Sequence, residues 1–309
     1  MTISACSLLV IGGGGFVGAA SVRHLLALGH VVHVIEPTRR DALPDGAQWL
    51  PGSIEDADSL RTAIAAARPD AILNFAAYST GAIGLARSGE ADPERALAVN
   101  LLGFRRLMQA AVDARVPRLL WSSSTVALGP ARVPGQRVAE DEPCAPATTY
   151  GLTKHLAEQA ALFMRRVHGL HVTGIRLPLI FGPGLWYSGA AAALTRLVSA
   201  AAPGATPEEA LPDAAFDAAH VQDVARLFAH LLRVPAPAPL YHLAGFTTTW
   251  PDIATTLAAL VPGYAPRITP APPGIIWPLV SQRLLEQDTG FACAHDLRAT
   301  LRDLLEHRA

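Results

Sequence analysis

The apolar positions in the first half of the chain fall into short solid blocks separated by amphipathic stretches. Blocks at 8–11, 31–35, 71–75 and 118–122 are largely apolar, as strands buried on both faces are. Between them, 16–28, 59–67 and 93–114 space their apolar residues at helical intervals. The alternation predicts an α/β fold with a doubly wound parallel sheet covered on both sides by helices. A further helix is predicted over 150–167 and a strand over 172–176.

The pattern changes after Pro178. Pro183, Pro203, Pro207 and Pro212 interrupt an Ala-rich stretch, and a second proline cluster runs from Pro262 to Pro278. Proline at this density breaks regular elements, so these segments are predicted to form a smaller, loop-rich lobe. A helix at 221–232 and a strand at 240–244 return to the main sheet, and 295–306 reads as a C-terminal helix. The predicted division is therefore a first domain over 1–177, rejoined by 217–247, and a substrate lobe made of 178–216 and 248–309.

Composition narrows the function classes. Half of the 309 residues are apolar and the formal charge is −1, so nothing suggests nucleic acid or an anionic membrane as a partner. Cys6, Cys144 and Cys293 are too few and too scattered for a disulfide frame, and no Cys/His spacing is of metal type. His168 and His171 read as a loop rather than a metal pair. The stretch 7–22 lacks the basic start of a signal peptide and carries a glycine cluster, so it reads as strand and helix. No apolar run is long enough to span a membrane, and the expectation is a soluble, cytoplasmic protein.

Candidate chemistry begins where the first strand ends. Gly12, Gly15 and Gly18 form a G-x-x-G-x-x-G run between strand and helix, the context in which glycines let the backbone approach a pyrophosphate at a helix N-terminus. Phe16 and Val17 open that helix. Glu36 ends the second strand, 18 residues past Gly18. A carboxylate there accepts from both adenosine ribose hydroxyls and repels a 2′-phosphate, which favours NAD over NADP. Arg39 and Arg40 follow closely and offer a phosphate contact or two solvated loop charges.

Tyr150 and Lys154 stand four apart and share a helix face. A tyrosine of ordinary pKa, about 10, needs roughly 4 kcal/mol of stabilisation to act as a base near neutrality. A neighbouring ammonium and the positive charge of an oxidised nicotinamide both favour the phenolate. Ser124 ends an apolar strand, where its hydroxyl would face the cofactor crevice. The three residues point to hydride transfer at a carbon whose oxygen exchanges a proton with Tyr150 and is hydrogen-bonded by Ser124.

With these motifs in place the chain resembles the extended short-chain dehydrogenase/reductases, the NAD-dependent epimerase/dehydratase family with its Rossmann-type cofactor domain. The resemblance rests on the glycine turn from Ile11 to Gly18 and the segment Leu73-Asn74-Phe75-Ala76-Ala77. It extends to Asn100 with Gly103, the Ser122-Ser123-Ser124 strand, the Tyr150–Lys154 helix, the Arg176-Leu177-Pro178 crossing and His220-Val221-Gln222-Asp223. It implies that Ser124, Tyr150 and Lys154 are catalytic. It further implies that Phe75, Ala76, Ala77, Asn100 and Pro178 line the cofactor. A homodimer through a four-helix bundle is also implied; Leu101, Phe104, Leu107, Leu156 and Phe163 are available to it, or to the core.

Departures from the family pattern bear on the substrate. Gly52-Ser53 replaces the usual Gly-Asp, leaving Ser53 and Ile54 to meet adenine. Thr125-Val126 follow Ser124 where dehydratases carry an acidic pair, which argues against dehydration. Leu179 and Phe216 stand where epimerases offer an asparagine and an arginine to a diphosphate, and Arg196 is the sole basic residue between Pro178 and Asp217. Leu179, Trp186, Tyr187 and Trp277 are candidates to line a pocket, with Ser124 at its base. The leading expectation is an NAD(P)-dependent oxidoreductase acting on a small secondary alcohol or ketone. The alternatives are a UDP-sugar epimerase with the same triad and a non-catalytic dinucleotide sensor.

Overall fold

A computed structural model describes residues 5–308 except 82, 186–188, 190 and 273. The first half runs β1 (Ser7–Ile11), α1 (Phe16–Ala27), β2 (Val31–Glu36), β3 (Gln48–Pro51), α2 (Ala57–Ala67) and β4 (Ala71–Asn74). There follow α3 (Leu85–Ala91), α4 (Pro93–Leu97), a π-helical turn (Ala98–Gly103), α5 (Phe104–Asp113), β5 (Leu119–Ser124) and a 3-10 turn (Thr125–Leu128). Next come β6 (Arg137–Val138), α6 (Thr149–His168), β7 (Val172–Leu177), β8 (Leu179–Phe181), α7 (Ala192–Ser199), β9 (Glu208–Pro212) and β10 (Phe216–His220). The chain closes with α8 (Val221–Leu231), β11 (Leu240–His242), β12 (Phe246–Thr248), α9 (Trp250–Leu260), β13 (Arg267–Ala271), β14 (Leu279–Val280), α10 (Arg283–Thr289) and α11 (Leu297–Glu306).

Seven strands form one parallel sheet in the order β11-β7-β5-β4-β1-β2-β3. Successive residues of β1 point to opposite faces, which is why its apolar run is unbroken. Leu8 and Val10 join a core under α1 and α8, whereas Leu9 and Ile11 join a core under α2, α5 and α6. The order reverses between β1 and β4, and the carboxyl ends of these two strands form the crevice where open α/β sheets bind their ligands.

The remaining strands make three small sheets, β12-β10-β8, β13-β9 and β14-β6. A third core gathers α7, α9 and α11 against β8 and β10. Leu285 of α10 and the following Phe291 lie instead in the α1/α8 core, so part of the C-terminal third packs on the main sheet. Proline density predicts loops here, yet α7, α9 and α10 form beside the predicted C-terminal helix. α9 carries its proline in the first turn, where no intrahelical donor is lost, and Thr249 with Asp252 closes a capping box.

Candidate active site

The turn after β1 is built for close backbone approach. Gly12 adopts φ +78°, and a Cβ there would stand 2.8 Å from the Ala76 amide nitrogen. A Cβ at Gly18 would overlap the Gly12 carbonyl oxygen. Only glycine lets α1 begin this close to the turn and leaves its first amides open to an anion. A Cβ at Gly15, by contrast, meets little, so that side of the turn has room for a ligand.

Glu36 completes the cradle from the end of β2. Its Oε1 accepts from the Gly14 amide at 2.8 Å. Its Oε2 is buried without a hydrogen-bond partner, with Arg40 Nε 3.9 Å away. Burial raises the Glu36 pKa, while the Gly14 amide and Arg40 oppose the rise. A buried acceptor without a donor is costly, and a ribose hydroxyl supplies the donor. The residues therefore fit an adenosine ribose carrying two hydroxyls. Arg39 lies on the exposed loop and faces Asp45 at 4.0 Å. Glu36→Ala is expected to weaken NAD binding about tenfold, the loss of roughly one charge-assisted hydrogen bond, and to narrow any preference over NADP. Calorimetric titration with both cofactors checks this.

Ser53 and Ile54 follow β3. The Ser53 hydroxyl accepts from the Glu55 amide, and Ile54 is buried against Gly103. Phe75, Ala76 and Ala77 line the start of the segment after β4, half-buried, with Phe75 edge-on to Phe228. Pro178 is half-buried between β7 and β8.

Asn100 sits in the π-helical turn and is buried. Its Oδ1 accepts from the Tyr78 amide at 2.7 Å, and its Nδ2 donates to Thr153 Oγ1 at 3.0 Å. Thr153 Oγ1 in turn donates to the Tyr150 carbonyl. Asn100 thus ties the segment after β4 to the first turn of α6.

Tyr150 and Lys154 occupy the start of α6, whose N-terminus Thr148 caps by accepting from the Gly151 amide. Both are buried, and Lys154 Nζ lies 5.8 Å from the Tyr150 ring centroid and 5.6 Å from that of Trp121. Nζ donates to the Ser122 carbonyl at 2.8 Å. Burial pulls the Lys154 pKa down to about 8, against a partly offsetting push from Glu158. Ser124 Oγ, at the end of β5, accepts from the Val126 amide at 3.3 Å. A hydroxyl that accepts this bond still has its proton to donate. The fold therefore brings the three residues to one end of β5 and α6.

Behind this site lies a buried polar network that the sequence pattern does not expose. Glu158, one turn beyond Lys154, accepts two bonds from Arg176, at 2.9 and 2.7 Å, and one from Ser123 Oγ at 2.6 Å. Arg176 Nη1 also meets His242 Nε2 at 3.0 Å. One sequence signal does point here: Lys154 is the single lysine of a chain with 25 basic residues. Where arginine serves every other basic position, the retained lysine marks a place that needs a compact ammonium with a tunable pKa.

Cys144, His155 and Glu158 bring three metal-type donor atoms within 4.8 Å of one another beside a cavity of about 300 Å³. Arg176 already bonds both Glu158 oxygens and stands 3.1 Å from Cys144 Sγ, so a cation here would face a guanidinium. His242 is fully buried, and burial with the Arg176 charge lowers its pKa to about 3. Below its ordinary pKa of about 6.5 the unfolded chain binds a proton here that the folded chain does not. Stability therefore falls as pH drops from about 6.5 toward 3, by up to about 1.4 kcal/mol per unit from this residue. Melting temperatures between about pH 7 and 4.5 are expected to fall less steeply in His242→Gln than in the parent.

Leu179 and Phe216 are half-buried in the lobe core, with the Phe216 ring 5.3 Å from Trp250 and 6.4 Å from Phe181. Arg196 is exposed and held by both oxygens of Glu209, at 2.6 and 2.7 Å. Trp186 and Tyr187 lie outside the described residues.

A model of the NAD dependent epimerase/dehydratase family matches residues 8–243. A UDP-glucose 4-epimerase of Lactobacillus helveticus is 33% identical over 172 residues, covering 54% of this chain and 50% of that protein. A 3 beta-hydroxysteroid dehydrogenase/Delta 5-->4-isomerase of Mycobacterium tuberculosis is 35% identical over 188 residues, 57% of this chain and 47% of its own length. The chain thus spans about half the length of the curated relatives it matches. Among solved structures, a GalE-like L-threonine dehydrogenase of Cupriavidus necator superposes with TM-score 0.85 at 22% identity, over 97% of this chain and 99% of the other. The UDP-glucose 4-epimerase of Thermus thermophilus in complex with NAD gives 0.81 at 24% identity, over 97% and 98%.

Proposed function

The chain belongs to the NAD dependent epimerase/dehydratase family, and from that premise we propose that it is an NAD-dependent oxidoreductase acting on a secondary alcohol or ketone that carries no nucleotide diphosphate. NAD, when bound, takes or supplies the hydride. Tyr150 exchanges the proton of the substrate oxygen, Ser124 donates a hydrogen bond to the same oxygen, and Lys154 favours the phenolate with its charge. Glu36 anchors the adenosine ribose. Residues 1–177 with 217–247 hold the cofactor, and 178–216 with 248–309 supply the substrate lobe, except that Leu285 of α10 and Phe291 pack on the main sheet.

The observation that carries the substrate class is the fate of the one cation in the stretch from Pro178 to Asp217. Arg196, the sole basic residue between Pro178 and Asp217, is spent on Glu209, and Phe216 is packed into the core. A diphosphate needs charge-assisted donors, and this stretch offers none to spare. Calorimetric titration with UDP-glucose in the presence of NAD tests the reading. No heat beyond dilution is expected, and micromolar binding would overturn it.

A second reading, UDP-sugar epimerisation, has a specific observation in its favour. Arg87 is on α3, and α3 packs beside Tyr150 through Gly89. Arg87 itself is exposed, two residues from Gly89, and is the cation this reading would use from outside the lobe.

Three further placements belong to the proposal. Leu152, Leu162, Phe163 and Val167 of α6, with Leu102, are large apolar residues left exposed. Such a patch suits a second copy of the chain, pairing α5 and α6 into a four-helix bundle. Phe104 and Leu107 are buried in the subunit core and Leu101 packs against it, so they serve that core. Light scattering is expected to give a dimer mass, and Phe163→Glu to reduce it to a monomer. Among the described residues no helix is long and apolar enough to cross a membrane. Among the described residues Cys6, Cys144 and Cys293 form no disulfide with one another, which suits a reducing cytoplasm.

A further inference from the structure

Lys154 and Glu158 lie one helical turn apart on α6 and grip consecutive residues of β5. Lys154 Nζ donates to the Ser122 carbonyl, and Glu158 Oε1 accepts from the Ser123 hydroxyl. The next residue, Ser124, carries the hydroxyl assigned to the substrate oxygen. We infer that Glu158 is a positioning residue for the acid–base pair: its buried carboxylate holds Lys154 in its charged form and locks the serine strand against α6. The inference rests on the reading of Tyr150 and Lys154 as that pair.

A lysine in an apolar site tends to lose its proton unless an anion stands near. Glu158 is only 2% exposed, and Arg176, Ser123 and the helix leave its carboxylate one place to be. The surroundings hold other charges, and none replaces it. On its own helix Lys154 has Tyr150 and His155 besides Glu158. From α3 come Arg87 and Glu90, from α4 Glu94 and Arg95, and from α5 Arg105, Arg106 and Asp113. Glu90 is exposed and engaged by Thr149, and Arg95 by Glu55. β5 offers the Ser122 carbonyl and the Trp121 ring, and β7 offers Arg176 on Glu158 itself. Around Glu158, His242, Glu140 and Cys144 all face Arg176. Burial lowers Lys154, and Glu158 is the charge that raises it.

Because Lys154 is the only lysine, a protein labelled at lysine Cε gives one side-chain resonance, and its titration is read without turnover. In Glu158→Gln the Lys154 midpoint is expected to fall by about one unit, so that near pH 8 the ammonium fraction drops from about half to about a tenth. Glu158→Asp is expected to return most of the shift. Glu158→Gln alone leaves Arg176 buried without its counter-ion, so the titration is repeated in Glu158→Gln/Arg176→Gln, where a smaller fall of the same sign is expected because the Arg176 cation is removed as well. A midpoint within about 0.3 units of the parent in a folded variant would overturn the inference. The alkaline limb of kcat against pH should move down with the midpoint. If the resonance shifts and that limb does not, the tuning by Glu158 stands and the acid–base reading of Lys154 fails.

Discussion

Tyr150→Phe is expected to lower kcat by about 10²–10⁴-fold while leaving NAD affinity within about threefold, because the phenol is asked to transfer a proton and little else. The ring is buried at the start of α6, and its loss of one oxygen leaves the helix cap, the Asn100–Thr153 link and the Lys154 contact with Ser122 in place. A pure loss of proton transfer appears in kcat and kcat/KM together, with substrate binding spared. A variant that keeps more than about a tenth of parental kcat would remove Tyr150 from the chemistry. Ser124→Ala should lose less, since it removes one hydrogen bond to the same oxygen and no proton carrier.

The largest stability effect is expected at Arg176. Its side chain is 4% exposed and bonds both oxygens of Glu158, itself 2% exposed, as well as His242, the Glu140 carbonyl and Cys144. Arg176→Gln leaves the Glu158 carboxylate buried without its cation, at a cost of about 3–5 kcal/mol. Removing both charges in Glu158→Gln/Arg176→Gln costs less than the sum of the two single changes, because the desolvation penalty of each ion goes with it. Urea denaturation of the three variants checks the order. Strict additivity would mean that the two groups do not act as a pair.

These effects differ in how far they are visible in the chain itself. The sheet is legible because β1, β4 and β5 bury both faces and so leave unbroken apolar runs. Tyr150 and Lys154 are legible because four-residue spacing on a helix is a local property, and the glycine turn because strand, glycines and helix adjoin. β3 is not, being four residues long at the sheet edge with only partial burial. Pro and Ala density masks α7 and α9, although Pro251 in the first turn of α9 starts the helix rather than breaking it. The Ser123–Glu158–Arg176–His242 network joins residues from four elements, and no periodicity carries such a contact. Arg39, next to Arg40 in sequence, turns to Asp45, which only the loop geometry decides.

The lobe shows the same division between local and distant information. The absence of basic residues between Pro178 and Asp217, apart from Arg196, is a fact of sequence; that the exposed Arg196 is ion-paired with Glu209 is a fact of structure. Phe216 meets Phe181 and Trp250, so its place in the chain is taken up by packing of the lobe core.

Net reduction of NAD decides between the dehydrogenase and epimerase readings. The purified protein is incubated with NAD and a panel of small secondary alcohols, L-threonine among them, and separately with UDP-glucose, while NADH absorbance and sugar configuration are followed. Stoichiometric NADH is expected with at least one alcohol, lost in Tyr150→Phe, together with no conversion of UDP-glucose. UDP-galactose formed from UDP-glucose without net NADH, and no NADH from any alcohol, would contradict the dehydrogenase reading and make epimerisation the activity of this site.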